Sequence, residues 1–345
     1  MSTQTMRALA VLSKDELTLV DLPIPEPDDY EVLVKNEACV FCNTTDKMIV
    51  ENLFNTPAYP TILGHECFGK VVKVGKKVTK YKLGDRVICS NAIVTGYNGE
   101  YYSSFGGFSE YGISGDREAF LADGGVMDAV NKYRWRYDAN EVIPSHLSYE
   151  KAALAFPLAE CASAVGQVGD LTDKTVVVIG TGIVGYFFTL FAKLYGAREV
   201  IVLGRRESRL AVTRNIGATA TFIDLVEATE HIKRLGGADV VFECSGNYSS
   251  LESGLPYLKK DGLFAVYAVP KQPYSFNLLK CPGAFRYQRI DPDVHAAIDE
   301  VCKLLDEDKI PVEIFLTHRW SFDEAPAAFE EVRRGNVIKG LVIIS

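Results

Sequence analysis

The sequence predicts an α/β protein whose second half forms a doubly wound, mostly parallel sheet. From residue 174 onward, short apolar runs rich in β-branched residues alternate with segments of helical character. The predicted strands cover residues 174–179, 199–203, 219–223, 239–242 and 262–267. This alternation is typical of a parallel sheet with helices on both faces. Residues 7–12, 17–20 and 31–38 are also strand-like, so strands are expected near the N-terminus as well.

A glycine-rich turn joins the first of these parallel strands to an apolar helix. Its first glycine permits a tight turn, its second lets the backbone approach a pyrophosphate, and its third lets the helix pack on the strand. The helix N-terminus adds free N–H groups and the positive end of a dipole. We therefore expect a bound dinucleotide, although a purely structural turn is the alternative. The expected contacts are Gly180, Thr181, Gly182, Ile183, Val184 and Gly185, with Ser245 after the fourth strand.

The end of the second parallel strand indicates which dinucleotide binds. An NAD site normally carries Asp or Glu there to bind the ribose 2′-hydroxyl. This chain has Gly204, followed by Arg205 and Arg206. Glycine leaves room for a 2′-phosphate, and a guanidinium binds one through paired hydrogen bonds. The sequence favours NADP(H) over NAD(H), the alternative being two solvated arginines at a helix start.

Length and composition are typical of an ordinary soluble enzyme, for which two domains and a small-molecule substrate are expected. The chain has 345 residues, enough for two domains. A net charge of −8 argues against nucleic acid or an anionic membrane as a partner. No apolar run is long enough to span a membrane or to form a signal peptide. Eight cysteines without an export signal indicate reduced thiols or metal ligands, and we expect a cytoplasmic protein.

Three residues of the N-terminal half form a plausible zinc-binding set. Cys42 is followed 23 residues later by the pair His65-Glu66. Thiolate, imidazole and carboxylate are all zinc ligands. Cys39 is not expected to join them, because residues three apart on a strand face opposite ways.

The segment around His65 resembles the zinc signature of the medium-chain alcohol dehydrogenases. Similar landmarks occur at 82–87, 106–111, 318–330 and 338–343, so the resemblance covers nearly the whole chain. It implies a GroES-like β domain formed by residues 1–150 and 292–345, a Rossmann NADP-binding domain at 151–291, and a homodimer or homotetramer. It also implies a catalytic zinc on Cys42, His65 and Glu66, with the Thr44 hydroxyl as proton relay. The matching signature residues are Gly64, His65, Glu66, Gly69, Gly75 and Val78.

Two departures from this family concern the lobe that holds its structural zinc and an insertion. Zinc members often carry four closely spaced cysteines after the segment at 82–87, but here no cysteine follows Cys89 until Cys161. Because four ligands cannot be assembled, we expect one catalytic zinc and no structural zinc. Residues 116–141 are an apparent insertion, either a packed excursion, a subunit contact or a lid.

A third departure concerns the metal site itself. Phe156 stands where many relatives carry a zinc-binding Glu, and phenylalanine cannot bind zinc. Glu160 follows one helical turn later on the same face, so it replaces the lost ligand or faces the substrate. A buried carboxylate paired with a lysine is the alternative for Glu160.

The expected activity is hydride transfer between NADP(H) and an alcohol or carbonyl. Asn91 lies where alcohol-selective relatives carry a bulky apolar residue, and archaeal glucose dehydrogenases of the family resemble this chain at Asn91 and Glu160. An amide and a carboxylate bond hydroxyl groups, and Phe156 would add an apolar wall, so we expect a sugar, polyol or aminocyclitol. The alternatives are an NADPH-dependent reductase of simple ketones, aldehydes or activated alkenes, and a non-catalytic dinucleotide-binding protein.

Overall fold

The computed structural model describes residues 4–53, 59–93, 97–103, 105–126, 140–268, 278–280 and 283–345. The expected insertion at 116–141 contains a basic and aromatic stretch at 133–137, Tyr-Arg-Trp-Arg-Tyr, which lies outside these residues. The chain folds into two compact units, the first formed by residues 1–157 and 298–345, the second by residues 158–297. Within the described residues, no helix is long and apolar enough to cross a membrane.

The strands of both units are numbered here in chain order. They are β1 (Thr5–Ser13), β2 (Glu16–Pro23), β3 (Glu31–Val40), β4 (Thr61–Ile62), β5 (Glu66–Val74), β6 (Arg86–Ile88), β7 (Tyr102–Ser103), β8 (Tyr111–Gly115), β9 (Val142–Ile143), β10 (Thr175–Ile179), β11 (Glu199–Leu203), β12 (Ala220–Phe222), β13 (Ala238–Glu243), β14 (Leu258–Val266), β15 (Arg286–Arg289), β16 (Leu316–Ser321) and β17 (Lys339–Ile343).

The described α-helices are numbered in the same way. They are α1 (Thr45–Val50), α2 (Arg117–Ala122), α3 (Tyr149–Gly166), α4 (Ile183–Leu194), α5 (Glu207–Asn215), α6 (Leu225–Arg234), α7 (Tyr248–Gly254), α8 (Ile298–Asp306), α9 (Val312–Phe315) and α10 (Ala325–Arg334). Short 3₁₀ turns lie at Leu255–Tyr257, Leu278–Lys280 and Phe322–Glu324.

The second unit is a six-stranded parallel sheet, as the alternation predicted. Its strand order is β12-β11-β10-β13-β14-β15, and every neighbouring pair is parallel. Strand β10 is buried at all five positions, which suits its run of β-branched residues. The order reverses direction between β10 and β13, and ligands of such sheets bind outside the strand ends at this switch point.

The first unit is built largely from antiparallel strands in two sheets. One sheet has the order β2-β1-β4-β7, and the other has the order β16-β17-β3-β5-β6-β9, with β8 also paired to β3. The α/β architecture of a GroES-like unit and a Rossmann unit is therefore confirmed. Strand β17, near the C-terminus, lies antiparallel to β3 from the N-terminal region. This pairing holds β17 beside the end of β3, although the two strands are distant in sequence. The candidate metal site lies next to these paired strands.

Candidate active site

Two strand ends of the first unit bring the candidate metal ligands together. Strand β3 ends at Val40, which pairs with Glu66 at the start of β5. Cys42 therefore leaves β3 beside His65, which directly precedes β5. The sulfur of Cys42, a ring nitrogen of His65 and a carboxylate oxygen of Glu66 all lie within 4.8 Å of one another. Cys42 and His65 are distant in sequence, and the antiparallel pairing of β3 with β5 brings them together.

A glycine makes the approach to His65 possible. Gly64 has φ +101°, a left-handed conformation that side chains rarely adopt. A Cβ placed on it would lie 2.5 Å from the backbone nitrogen of Phe108. Any larger residue at position 64 would displace this segment and, with it, the neighbouring imidazole.

A buried carboxylate faces the other side of the imidazole. Nδ1 of His65 lies 3.6 Å from Oδ1 of Asp46, and Nε2 lies 3.6 Å from Oε1 of Glu66. Asp46 is fully buried on α1, and its Oδ2 accepts a 2.9 Å hydrogen bond from the backbone N–H of Cys42. Burial alone would lower the pKa of His65, but the charges of Cys42 and Asp46 outweigh it and raise that pKa well above its ordinary value.

A buried lysine on β17 adds a positive charge next to the candidate metal ligands. The ammonium of Lys339 forms an ion pair with Oε2 of Glu66 and donates a 3.1 Å hydrogen bond to the carbonyl of Phe41. Its side chain is only 1% exposed. Burial would lower the pKa of Lys339, but the charges of Glu66 and Cys42 overcome this and raise it.

The donor set fits a zinc ion. Soft thiolate, imidazole and carboxylate are its usual protein ligands. Nδ1 of His65 faces Asp46, which leaves Nε2 of the ring directed at the carboxylate of Glu66 as the nitrogen that could bind a metal. A carboxylate facing the outer nitrogen of a ligating histidine is the arrangement that commonly orients such a ligand.

Two aromatic rings flank the same imidazole. The ring of Phe105 lies 4.9 Å from the His65 ring, and the ring of Phe156 lies 6.1 Å from it, edge to face. Phe105 adopts φ +74°, which is unusual for a bulky residue. These rings give the site apolar walls.

The glycine turn of the second unit has the geometry of a phosphate-binding loop. Gly180 has φ +120° and packs against the backbone of Cys244 and Ser245 at the end of β13. A Cβ on Gly185 would lie 2.0 Å from the carbonyl oxygen of Gly180, so only glycine lets α4 start this close to β10. Nothing lies within 4 Å of a Cβ placed on Gly182, which leaves its backbone accessible.

The end of β11 shows a second reason for Gly204. A Cβ there would lie 2.5 Å from the methyl group of Thr181, so the glycine is required for packing on the loop. Arg205 and Arg206 are exposed. The nearby carboxylate of Glu207 forms an ion pair with Arg214. Arg209, half-buried on α5, donates a 3.1 Å hydrogen bond from Nη1 to the Thr181 carbonyl.

Comparisons with known proteins agree with this geometry. A family model described as alcohol dehydrogenase GroES-like domain matches residues 28–122, and one described as zinc-binding dehydrogenase matches residues 184–288. A sorbitol dehydrogenase of Bacillus subtilis is 30% identical over 304 residues, covering 84% of each chain. The chain belongs to the zinc-type medium-chain alcohol dehydrogenase family.

Two further known proteins match nearly the whole chain of this alcohol dehydrogenase. A D-arabitol-phosphate dehydrogenase of Enterococcus avium is 27% identical over 352 residues, covering 95% of this chain and 94% of that protein. A solved zinc-binding dehydrogenase of Sinorhizobium meliloti 1021, bound to NADP, shares the fold with a TM-score of 0.77 at 24% identity, covering 99% of this chain and 100% of that one.

The contacts of three further expected site residues do not involve the candidate metal ligands in the described structure. Thr44, the expected relay, is exposed, whereas Thr45 is half-buried and its backbone N–H donates to the Cys42 sulfur at 3.4 Å. Asn91 is buried, 6% exposed, and its side-chain nitrogen donates to the Cys89 carbonyl at 3.4 Å. Glu160 is half-buried on α3, in the part of that helix that belongs to the second unit. Their roles stay predictions.

Sequence reasoning missed three charged residues of the dehydrogenase. Asp46 follows Cys42 within about one helical turn, so its closeness in sequence could have indicated that it lies near the metal ligands. Lys339 gave none, because its place depends on the pairing of β17 with β3. Arg209 lies on α5, the helix that begins directly after Arg206, so its place near the two arginines could have been predicted.

Proposed function

We propose that this chain is a zinc-dependent dehydrogenase that transfers a hydride between NADP(H) and a polyhydroxylated alcohol or its carbonyl product. The observation that carries the proposal is the trio of Cys42, His65 and Glu66, whose ligand atoms lie within 4.8 Å of one another. Glu160 is a further candidate ligand. One zinc per chain is proposed, because the described residues offer this single ligand set.

A zinc ion bound by this trio supplies Lewis acidity to the oxygen of the alcohol or carbonyl. Asp46 holds the imidazole of His65 in place from the Nδ1 side, and Lys339 holds one oxygen of Glu66. Phe105 and Phe156 limit the access of water to the imidazole. A threonine hydroxyl on the segment after Cys42, Thr44 or the less exposed Thr45, would pass the proton outward.

The preference for NADP(H) rests on charge at the end of β11. Gly204 removes the carboxylate that would repel a 2′-phosphate, and Arg205 and Arg206 present two guanidinium groups there. The main-chain N–H groups at the start of α4 and the loop residues from Gly180 to Gly185 would bind the pyrophosphate.

A polyhydroxylated substrate is favoured by relatives and by residue type. The sorbitol and arabitol-phosphate dehydrogenases named above act on polyols, as their names state. Asn91 and Glu160 would bond substrate hydroxyls, and a site built this way rejects apolar analogues because its polar groups would be left unpaired.

A simple or aromatic alcohol is the second candidate, because the rings of Phe105 and Phe156 stand against the ligating imidazole. A metal-free alkene reductase and a non-catalytic dinucleotide-binding protein are the remaining alternatives. A homodimer or homotetramer and a cytoplasmic location are part of the same proposal.

The experiment is a substrate panel assayed in both directions with NADP(H) and NAD(H). Sugar alcohols, phosphorylated polyols, aminocyclitols, aliphatic alcohols and benzyl alcohol are each offered to zinc-loaded protein. The proposal expects the highest kcat/KM on a polyol. Faster turnover of aliphatic or aromatic alcohols supports the second candidate, reduction of activated alkenes by metal-free protein supports the reductase, and no turnover of any compound supports the non-catalytic alternative.

A further inference from the structure

Lys339 stands among several buried anions at the metal site. Its ammonium pairs with Glu66, and the charges of Cys42 and Asp46 also act on it. Lys339, Glu66 and Asp46 are 1%, 3% and 0% exposed, so water screens their charges little. Among the lysines and arginines of the described residues, Lys339 alone forms an ion pair with a member of the trio of Cys42, His65 and Glu66.

The ammonium of Lys339 is the partner of a buried carboxylate. Glu66 is 3% exposed, and its Oε2 forms an ion pair with Lys339. A buried anion that loses its partner is left uncompensated, which is strongly destabilising. When no metal is bound, Lys339 therefore stabilises Glu66 in its buried position.

The same position makes Lys339 a competitor of the metal. Oε2 of Glu66 is turned to the ammonium, while Oε1 lies toward Nε2 of His65. An ammonium that neutralises part of the field of these anions lowers the attraction they exert on a second cation, and like charges at short range repel each other. Binding energies that are coupled in this way are reciprocal.

We propose that Lys339 is a placeholder cation, which keeps the zinc site folded when it is empty and weakens zinc binding when the metal arrives. This inference rests on the proposed zinc site. Lys339 is the first residue of β17, so this strand positions the cation that acts on metal binding.

The test measures zinc affinity and the stability of the empty protein for the full-length wild type and Lys339→Met. Methionine keeps a long side chain and removes the charge. Zinc dissociation constants come from competition with a chromophoric chelator, and stability comes from urea unfolding with and without zinc. Lys339→Met is expected to bind zinc at least about tenfold more tightly, about 1.4 kcal/mol, and to be destabilised mainly in the zinc-free state.

Two controls separate charge from packing. Lys339→Arg keeps the charge and should bind zinc within about threefold of wild type. Lys70→Met removes a lysine from the same strand as Glu66, where it is half-exposed and lies 3.3 Å from Glu37, and should leave zinc affinity unchanged.

Each outcome decides the inference. Folding of Lys339→Met only in the presence of zinc supports it, because the metal then restores the missing charge. Unchanged or weaker zinc binding, equal destabilisation with and without zinc, or no folding even with zinc contradicts it. If the wild type binds no zinc, the zinc site of the proposed function itself is wrong, which a failure confined to Lys339→Met would not imply.

Discussion

Nδ1 of His65 lies 3.6 Å from Oδ1 of Asp46, a carboxylate without solvent exposure. The same aspartate accepts the backbone N–H of Cys42 through Oδ2. One side chain thus contacts two of the three candidate zinc ligands, which makes the geometry of the site depend on a residue that does not itself belong to the trio.

Asp46→Asn should weaken zinc binding about 10- to 100-fold, the usual effect of losing a carboxylate behind a ligating histidine. The amide keeps the size of the side chain and an oxygen for the Cys42 N–H, but loses the negative charge. Zinc affinity is measured by chelator competition, with Asp21→Asn on β2 as an exposed control. An unchanged dissociation constant in Asp46→Asn would show that the aspartate only closes the turn.

Replacing both Arg205 and Arg206 by Ala should remove most of a preference for NADPH over NADH. We expect NADPH to bind the wild type at least ~1.4 kcal/mol more tightly, a tenfold ratio, because guanidinium groups form charge-assisted contacts with a 2′-phosphate. The affinity for NADH should change little. Dissociation constants from fluorescence titration check this, with Arg234→Ala at the end of α6 as the control. Equal affinity for both cofactors in the wild type would refute the assignment.

Asn91→Leu and Glu160→Gln should each lower kcat/KM for a polyol by about 10- to 100-fold, while simple alcohols are affected less. Losing a hydroxyl partner leaves a substrate group unpaired, at a cost of about 1–3 kcal/mol. Steady-state kinetics on both substrate classes measure the difference, and zinc content is determined for each variant. Loss of zinc in Glu160→Gln would instead assign that carboxylate to the metal. If neither variant changes the ratio between the two classes, the hydroxyl-binding pocket is wrong.

Asp116→Ala should destabilise the first unit by about 1–3 kcal/mol at neutral pH. Its buried carboxylate caps α2 through the Ala119 N–H and accepts the backbone N–H groups of Thr79 and Lys80. Burial alone would raise the pKa of Asp116, but these donors outweigh it and lower the pKa below its ordinary value.

The pH dependence of that effect has a definite sign. A carboxyl whose pKa is lowered on folding contributes stability above its unfolded pKa of about 3.9, and this is lost as pH falls through the lower folded value. The stability difference between wild type and Asp116→Ala, from urea unfolding, should therefore shrink below about pH 4. A difference that is constant down to about pH 3 would contradict the role of the charge.

Much of the fold could be predicted from local patterns. The predicted strand at 199–203 coincides with β11, and the predicted strand at 174–179 begins one residue before β10. Parallel strands are buried on both faces, so their apolar runs stand out in the sequence. Phe156 and Glu160 lie on one helix, α3, as their predicted spacing requires.

The rest of the candidate site depends on contacts between distant segments. Lys339 reaches Glu66 only because β17 pairs with β3, and no local pattern encodes that pairing. Gly204 was identified from the sequence, but only one of the two physical reasons for a glycine there could be predicted. The same missing side chain that leaves room for a 2′-phosphate also accommodates the methyl group of Thr181.

The central claim is that a zinc ion on Cys42, His65 and Glu66 supports polyol oxidation. The most direct measurement titrates zinc into metal-free protein and follows polyol-dependent reduction of NADP⁺ against zinc bound per chain. Activity should be absent at the start, rise in proportion to bound zinc and reach its maximum at about one zinc per chain. Full activity in protein verified to be free of metal would contradict the claim.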